Sequence, residues 1–330
     1  MSKGRIFSGM QPSGRFHLGN FLGALDNWVK LQNDYECFFS IVDLHALTSM
    51  YENTGRMREN VMEMAIDWLS AGLDPEKNII FLQSHVPAHA ELHLLLSMIT
   101  PLSWLERVPT YKDKLQQLGD MGKEINTYGF LGYPNLMTAD ILLYKADTVP
   151  VGEDQLPHLE LSREMARRFN NLYRPIFPEP KAFLSKASVL PGIDGRKMSK
   201  SYGNDIAFGA SPDELRARVR LMVTDPKRIR REDKGNPDVC TVYTFHKVFN
   251  QENSETIGCQ CRAAEIGCVD CKKKLAECMV DRLSSIHSRR EELAKKPEYI
   301  REMLVHGAEQ AQEVAAKTMA EVRDAMNLFS

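Results

Sequence analysis

The order of apolar and polar positions divides the chain into two regimes. Up to about residue 204, short apolar runs alternate with helical stripes. Arg5–Met10, Asn78–Leu82 and Thr148–Val151 read as strands. Cys37–Val42 is almost unbroken in its apolarity, as a parallel strand covered on both faces requires. Leu18, Phe21, Leu22, Leu25, Trp28 and Val29 recur at i, i+3, i+4, i+7 spacing, which predicts one continuous helix. Thr54–Leu69 reads as a helix stopped by Gly72, and Ala88–Ile99 as another. Repeated strand–helix units predict an α/β fold with a Rossmann-like, doubly wound parallel sheet. Ligands bind such a sheet at the carboxyl ends of its strands, near the switch in strand order.

Beyond that point the period becomes helical throughout. Ser211-Pro-Asp-Glu214 combines an N-cap, a proline at the first helical position and first-turn acids. Lys272–Ser285 and Glu309–Met326 are the clearest helices that follow. The expected division is an α/β domain over 1–204 and an all-helical domain over 205–330, with the last helices able to pack back on the first domain.

Composition narrows the class. The chain has 330 residues, 43% of them hydrophobic and 26% charged, which suits two globular domains and excludes disordered or fibrous chains. The 42 basic and 44 acidic residues leave a net charge of −2, so no cationic coat covers the whole molecule. No apolar run approaches the ~18–20 residues that span a bilayer. The N-terminal segment lacks a continuous hydrophobic stretch of signal-peptide length, so a cytoplasmic protein with reduced cysteines is expected.

Two loops carry candidate chemistry. Gln11-Pro-Ser-Gly-Arg-Phe-His17-Leu-Gly19-Asn20 leaves the first strand and opens a helix, where backbone N–H groups and the helix dipole favour a phosphate. There His17 can donate to a phosphate oxygen, and Gly19 lets a flat ring approach the backbone. Lys197-Met-Ser-Lys200-Ser, after the turn Pro191-Gly-Ile-Asp-Gly195, presents two ammonium groups to a polyphosphate.

Together these loops resemble the class I aminoacyl-tRNA synthetases. His17-Leu-Gly-Asn20 looks like the HIGH motif, with Asn20 in place of the last histidine, and Lys197–Ser201 matches the KMSKS motif letter for letter. Ile6–Gly14, Ile41–Ala46, Met137–Tyr144 and Val149–Gln155 resemble the tryptophan branch of that class. The resemblance implies activation of L-tryptophan by ATP and Mg2+, then transfer to tRNA(Trp), by a homodimer with a helical anticodon-binding domain. It makes His17, Lys197 and Lys200 catalytic, and Gln11, Gly19, Asn20, Met198 and Ser199 ATP contacts. Gly152 admits the ribose and Asp154 accepts its hydroxyls by the same resemblance, while Lys114 is either a phosphate contact or a solvated lysine.

Tryptophan offers a large apolar ring and one donor, the indole N–H. Asp140, inside an apolar run, is a buried carboxylate in need of a partner, and it shares a helix face with Met137. The resemblance makes Asp140 the indole acceptor, walled by Phe7, Met137, Ile141, Val149 and Val151. It adds Gly9 and His45 to the pocket and gives Tyr133 and Gln155 the substrate's amino group. His89 and His93 stand at metal-ligand spacing with no third ligand in view, so they read as a plain helix face.

Six of seven cysteines lie between 240 and 278, a clustering that points to metal before disulfides. Cys261-x6-Cys268-x2-Cys271 contains one C-x2-C unit where zinc sites usually have two. By resemblance, a bacterial subset of the tryptophan branch holds a 4Fe-4S iron–sulfur cluster on this spacing; Zn2+ and free thiols are the alternatives. Cys240 and Cys259 compete as the fourth ligand. Residues 196–234 hold eleven Lys/Arg and six Asp/Glu, and Arg216, Arg220, Lys227, Arg228, Arg230 and Arg231 are the candidates for RNA phosphate. A nucleotidyltransferase without tRNA would not need the helical domain, and a non-catalytic paralogue would not need His17, Lys197 and Lys200.

Overall fold

A computed structural model describes residues 3–108, 127–184 and 190–329. The chain separates into two compact units, one of residues 1–14, 28–186 and 296–330, the other of 15–27 and 187–295. The chain thus enters the second unit as early as residue 15 and returns to the first at 296, unlike a single division at 204.

The first unit is built on a five-stranded parallel sheet in the order β3-β2-β1-β4-β5. The strands are β1 (Arg5–Met10), β2 (Glu36–Ile41), β3 (Ile79–Leu82), β4 (Thr148–Val151) and β5 (Lys181–Leu184). After β3 the chain crosses to the far side of β1, so the switch in strand order lies between β1 and β4. Helices α1 (Asp43–Met50), α2 (Met57–Ala71), α3 (Ala88–Ser97), α4 (Tyr133–Leu143) and α5 (Leu156–Leu172) follow the strands. The expected doubly wound α/β fold is present. Gly72 ends α2 in the left-handed region (φ 113°), and the Gly72 and Leu73 N–H groups close onto Leu69 and Trp68 carbonyls. The fifth strand gives little sequence signal because β5 is an edge strand without a buried face.

One expected helix is not continuous. Leu18–Asn20 is α-helical, Phe21–Leu25 is a π turn, and Asp26–Leu31 is α-helical again. The wider turn shifts the stripe, leaving Phe21 and Leu22 half-buried while Leu18, Leu25 and Trp28 are buried.

In the second unit, α6 (Pro212–Leu221) starts at the expected N-cap Ser211, which forms a reciprocal capping box with Glu214. Then come α7 (Thr241–Phe249), α8 (Gln251–Arg262) and α9 (Cys268–Ala294), and α6 packs on α9. Beyond residue 205 the described elements are all helical. The last helix, α10 (Pro297–Ala325), belongs to the first unit and lies along β3. Its contact stripe is small (Gly307, Ala308, Ala311, Ala315), which lets the helix backbone approach the strand. A side chain at Gly307 would run into the Ile80 backbone carbonyl. Gly307→Ala is therefore expected to destabilise the protein by about 1–3 kcal/mol through overpacking. Urea unfolding measures this, and an unchanged midpoint would show that the helix does not sit against β3.

Candidate active site

In the second unit the His17 loop and the lysine loop come together. His17 caps its helix reciprocally with Asn20: the Asn20 backbone N–H donates to His17 Nδ1 (3.2 Å), and the His17 N–H donates to Asn20 Oδ1 (3.3 Å). Because Nδ1 is an acceptor here, the ring proton sits on Nε2. Burial, joined by the Lys200 charge, pulls the imidazole pKa down to about 4, against a smaller opposing effect of Asp205. At neutral pH His17 is therefore an uncharged Nε2–H donor. A side chain at Gly19 would stand 3.1 Å from the His17 ring and 3.4 Å from Met198 Sδ, so the two motifs touch and Gly19 keeps them close. The strand pairing His17–Ala207 and the Leu18 N–H to Ile206 O bond (2.9 Å) tie the first loop to residues just after the second.

The lysine loop is shaped by a residue not anticipated from the sequence. Buried Asn204 accepts from the Ser199 N–H (2.8 Å) and donates to Asp194 Oδ1 (2.7 Å) and Lys197 O (3.1 Å). Asn204 thus folds Lys197–Lys200 back toward the Pro191–Gly195 turn. Lys200 opens a single 3-10 turn that ends at Gly203 in the left-handed region (φ 62°).

In the first unit a polar cluster is buried beside the sheet. Asp140, on α4, is 1% exposed. Its Oδ1 meets Gln83 Nε2 (2.7 Å) and His89 Nδ1 (2.6 Å), and its Oδ2 meets Gln83 Nε2 (2.9 Å) and His45 Nε2 (2.9 Å). Burial pushes the Asp140 carboxyl up, but His89 and His45 outweigh it and hold it below the usual carboxylate range. His89 Nε2 lies 2.7 Å from the Tyr144 hydroxyl, whose pKa is raised well above normal by burial and by Asp140. Thus His89 is no plain helix face. It belongs to the Asp140 cluster, as do Gln83 and Tyr144, and nothing in the sequence marks any of the three as a partner of Asp140. His93 stands nearby, its pKa lowered chiefly by burial, with Asn135 donating to its carbonyl (3.1 Å).

The remaining expected residues gather around this cluster. Phe7, Ile141, Val149 and Val151 are part of the buried core, and Met137 is half-buried against it. Gly9 lies within β1, where a side chain would stand 2.7 Å from Val42 Cγ1. The Tyr133 ring stands edge-on to His45 at 4.6 Å between centroids. Burial and Asp140 push its phenol up to about 12, against a hydrogen bond with Gln11. Gln11 follows β1, and the exposed Gly152 and Asp154 follow β4, so these groups sit at the carboxyl ends of the two strands flanking the switch point. Gln155 Nε2 donates to Asp154 Oδ2 (3.0 Å), and a side chain at Gly152 would meet Asp154 Oδ1 at 2.6 Å. Lys114 lies outside the described residues.

The cysteines form a third feature, within the second unit. Cys240 leads into α7, Cys261 lies in the last turn of α8, and Cys268 and Cys271 open α9. Burial pushes the Cys271 thiol up to about 12, helped by Cys240, Cys261 and Cys268, and Cys261 is raised by burial and by Cys240 and Cys268. Cys240, Cys261, Cys268 and Cys271 therefore lie near one another, and Cys259 is exposed. No group of three or more His, Cys, Asp or Glu among the described residues has metal-holding geometry. Arg228 Nη1 is 3.7 Å from Cys261 Sγ, and a side chain at Gly235 would stand 2.6 Å from the same sulfur. Of the basic candidates, Arg228 is buried, and Arg216 is partly exposed and paired with Glu277 in two bonds of 2.9 Å. Arg220, Lys227, Arg230 and Arg231 are exposed.

A histidine loop in contact with a lysine loop, and a buried polar cluster beside the switch point of a parallel sheet, are the arrangement of a nucleotide-using α/β enzyme. Residues 2–284 match the family described as tRNA synthetases class I (W and Y). A tryptophan–tRNA ligase of Thermotoga maritima is 51% identical over 328 residues, covering 98% of this chain and 99% of that one. The tryptophan–tRNA ligase of Aquifex aeolicus is 45% identical over 393 residues, with 98% and 100% covered. The tryptophanyl-tRNA synthetase of Campylobacter jejuni, solved in complex with ADP and tryptophan, aligns with a TM-score of 0.89 at 33% identity over 98% of this chain and 100% of that one. The chain belongs to the tryptophan–tRNA ligases of class I. Among the described residues, no helix is long and apolar enough to cross a membrane.

Proposed function

We propose that the tryptophan–tRNA ligase reaction of this chain divides between two sets of side chains, one for each substrate of the first step. The tryptophan carboxylate attacks the ATP α-phosphorus, pyrophosphate leaves, and tryptophanyl-adenylate then passes its aminoacyl group to the terminal ribose of tRNA(Trp). Such transfers ask a protein for positioning and charge neutralisation, and no nucleophilic side chain is needed. The observation that carries this reading is the contact of the His17 and Lys197–Lys200 loops. Neutral His17 donates from Nε2 to a phosphate oxygen, and Lys197 and Lys200 offset the charge that grows on the leaving pyrophosphate. Gly19, Asn20, Met198 and Ser199 shape the surface for the nucleotide. Mg2+ adds positive charge on the phosphates when bound, and as an ion that keeps several waters it needs no all-protein cage.

The polar cluster on Asp140 and His45 reads the indole N–H, with Phe7, Gly9, Met137, Ile141, Val149 and Val151 as apolar surroundings. Tyr133 and Gln155 hold the amino group, Asp154 accepts from the ribose with Gly152 leaving room for the sugar, and Gln11 holds Tyr133. The test is tryptophan-dependent ATP–pyrophosphate exchange, followed by charging of tRNA(Trp). Exchange driven by tyrosine rather than tryptophan would refute the assignment. Resemblance supports a cytoplasmic homodimer whose helical domain grips the anticodon arm, with exposed Arg220, Lys227, Arg230 and Arg231 toward phosphate.

The same proposal extends to a 4Fe-4S cluster on Cys240, Cys261, Cys268 and Cys271. What supports it is the neighbourhood of these cysteines: burial and the nearby thiols hold Cys261 and Cys271 back from ionising, and a multiply charged metal group would favour their thiolate forms. Such a cluster supplies a structural cross-link among α7, α8 and α9. Anaerobically purified protein is expected to be brown and to contain about four irons per chain, as cysteine-ligated clusters of this kind do. Cys240→Ser should lose the iron, and Cys259→Ser should keep it. Colourless protein with one zinc per chain would replace the cluster by the zinc alternative.

A further inference from the structure

Asn204 is 2% exposed, and its amide is committed to the lysine loop and the turn before it. Oδ1 accepts from the Ser199 N–H (2.8 Å), and the two Nδ2 hydrogens go to Asp194 Oδ1 (2.7 Å) and the Lys197 carbonyl (3.1 Å). These partners fix its orientation, because a flipped amide would set a donor against the Ser199 N–H and an oxygen against two acceptors. The amide thus grips the backbone at Lys197 and, through Ser199, beside Lys200. The Asn204 carbonyl accepts from the Ile193 N–H (2.9 Å), which fastens the preceding turn to the same residue. A side chain at Gly192 would run into the Asn204 amide, so only glycine there lets the turn close on it.

The other side of Asn204 leads to His17. The Arg218 guanidinium donates to the Gly203 carbonyl (2.7 Å) and the Asp205 carbonyl (2.9 Å), the two chain neighbours of Asn204. Just beyond them, Ile206 accepts from the Leu18 N–H (2.9 Å), Ala207 pairs with His17, and the Phe208 N–H donates to Phe16 O (2.9 Å). One buried amide therefore stands between the backbone that carries the lysines and the backbone that carries the imidazole. All these residues belong to the unit of 15–27 and 187–295.

We infer that Asn204 is a positioning residue for adenylate formation, which fixes Lys197 and Lys200 relative to His17 before ATP arrives and acts on the reaction only through those lysines. The inference rests on the proposed role of the His17 and lysine loops and adds what sets their spacing. A loop already bent to shape loses little freedom when the nucleotide binds, so more of the binding energy is left for the transition state. Asp194 shares the role as the acceptor that holds the amide in its orientation, and Arg196 in turn holds Asp194 (2.7 Å).

The test is a double-mutant cycle on the full-length protein, read by rapid-quench adenylate formation at saturating tryptophan and ATP. Asn204→Ala alone should slow the step by about 10²-fold, the scale expected when reacting groups are misplaced by ~1 Å. Combined with Lys200→Ala it should cost at least ~10-fold less than it does alone, because the group it positions is gone. A residue that merely supports the fold would cost the same in both backgrounds, and coupling below ~10-fold overturns the inference. So does a loss of tryptophan affinity as large as the loss of rate. If Asn204→Ala does not fold, the partly exposed Asp194 decides. Asp194→Asn keeps an acceptor for the amide and should stay within about threefold of the wild-type rate, whereas Asp194→Ala should lose at least ~10-fold. Equal rates for these two variants overturn the inference. Lys200→Ala at the wild-type rate would overturn the proposed role of the lysine loop itself.

Discussion

Lys197→Ala and Lys200→Ala are each expected to slow tryptophanyl-adenylate formation by about 10²–10³-fold, the usual loss when one preorganised charge-stabilising group is removed. Tryptophan affinity, measured without ATP, should change less than about threefold, because the ammonium groups act on phosphate charge that develops only in the reaction. The lysine loop lies in the unit of residues 15–27 and 187–295, and the Asp140 cluster proposed to bind tryptophan lies in the other. Lys200→Ala has a second consequence. Burial is the main cause of the low His17 pKa, but the Lys200 charge contributes, so its removal should raise that pKa. Rapid-quench measurement of adenylate alongside equilibrium tryptophan binding checks both variants. Equal losses in rate and affinity would mean that the loop supports the pocket rather than the phosphates.

Asp140→Ala should be the most destabilising single change in the first unit. It leaves the donors of His45, His89 and Gln83 facing an apolar space, and breaking a buried charged network of this kind costs about 3–5 kcal/mol. Tryptophan-dependent exchange should disappear with it. The acid limb of stability carries the same signature. The Asp140 carboxyl lies below its unfolded value, so its stabilisation is fully present above the unfolded pKa of about 3.9 and fades as pH falls toward the folded one. Urea unfolding of wild type and Asp140→Ala across that range measures it, and a variant as stable as the wild type would remove Asp140 from the centre of the cluster.

Much of this was readable before any coordinates, for identifiable reasons. Parallel strands buried on both faces leave apolar runs, so β1 to β4 could be located, and capping chemistry gave the start of α6 and the end of α2. Asp140 stood out because a carboxylate inside an apolar run needs partners. Of its partners only His45 is named by the resemblance, and Gln83 and His89 are not marked as partners. His89 lies 51 positions away on another helix, and periodicity shows which face a residue occupies without showing what lies across from it. Gln83 and Asn204 are single amides whose importance is wholly tertiary. β5 was silent because an edge strand buries too little to impose a pattern. The π turn at Phe21–Leu25 keeps helical composition while changing its register. Arg228 illustrates the opposite error: a run of basic residues looks like a solvated face, yet this side chain is buried beside Cys261.

The central claim is that a single triphosphate is held by the His17 imidazole and the Lys197–Lys200 loop together. A crystal structure with a non-hydrolysable ATP analogue measures this directly. His17 Nε2 and at least one of the two ammonium groups should lie within hydrogen-bond reach of phosphate oxygens on the same nucleotide. A bound nucleotide whose phosphates touch neither, or which meets the lysines while His17 faces away, would contradict the account.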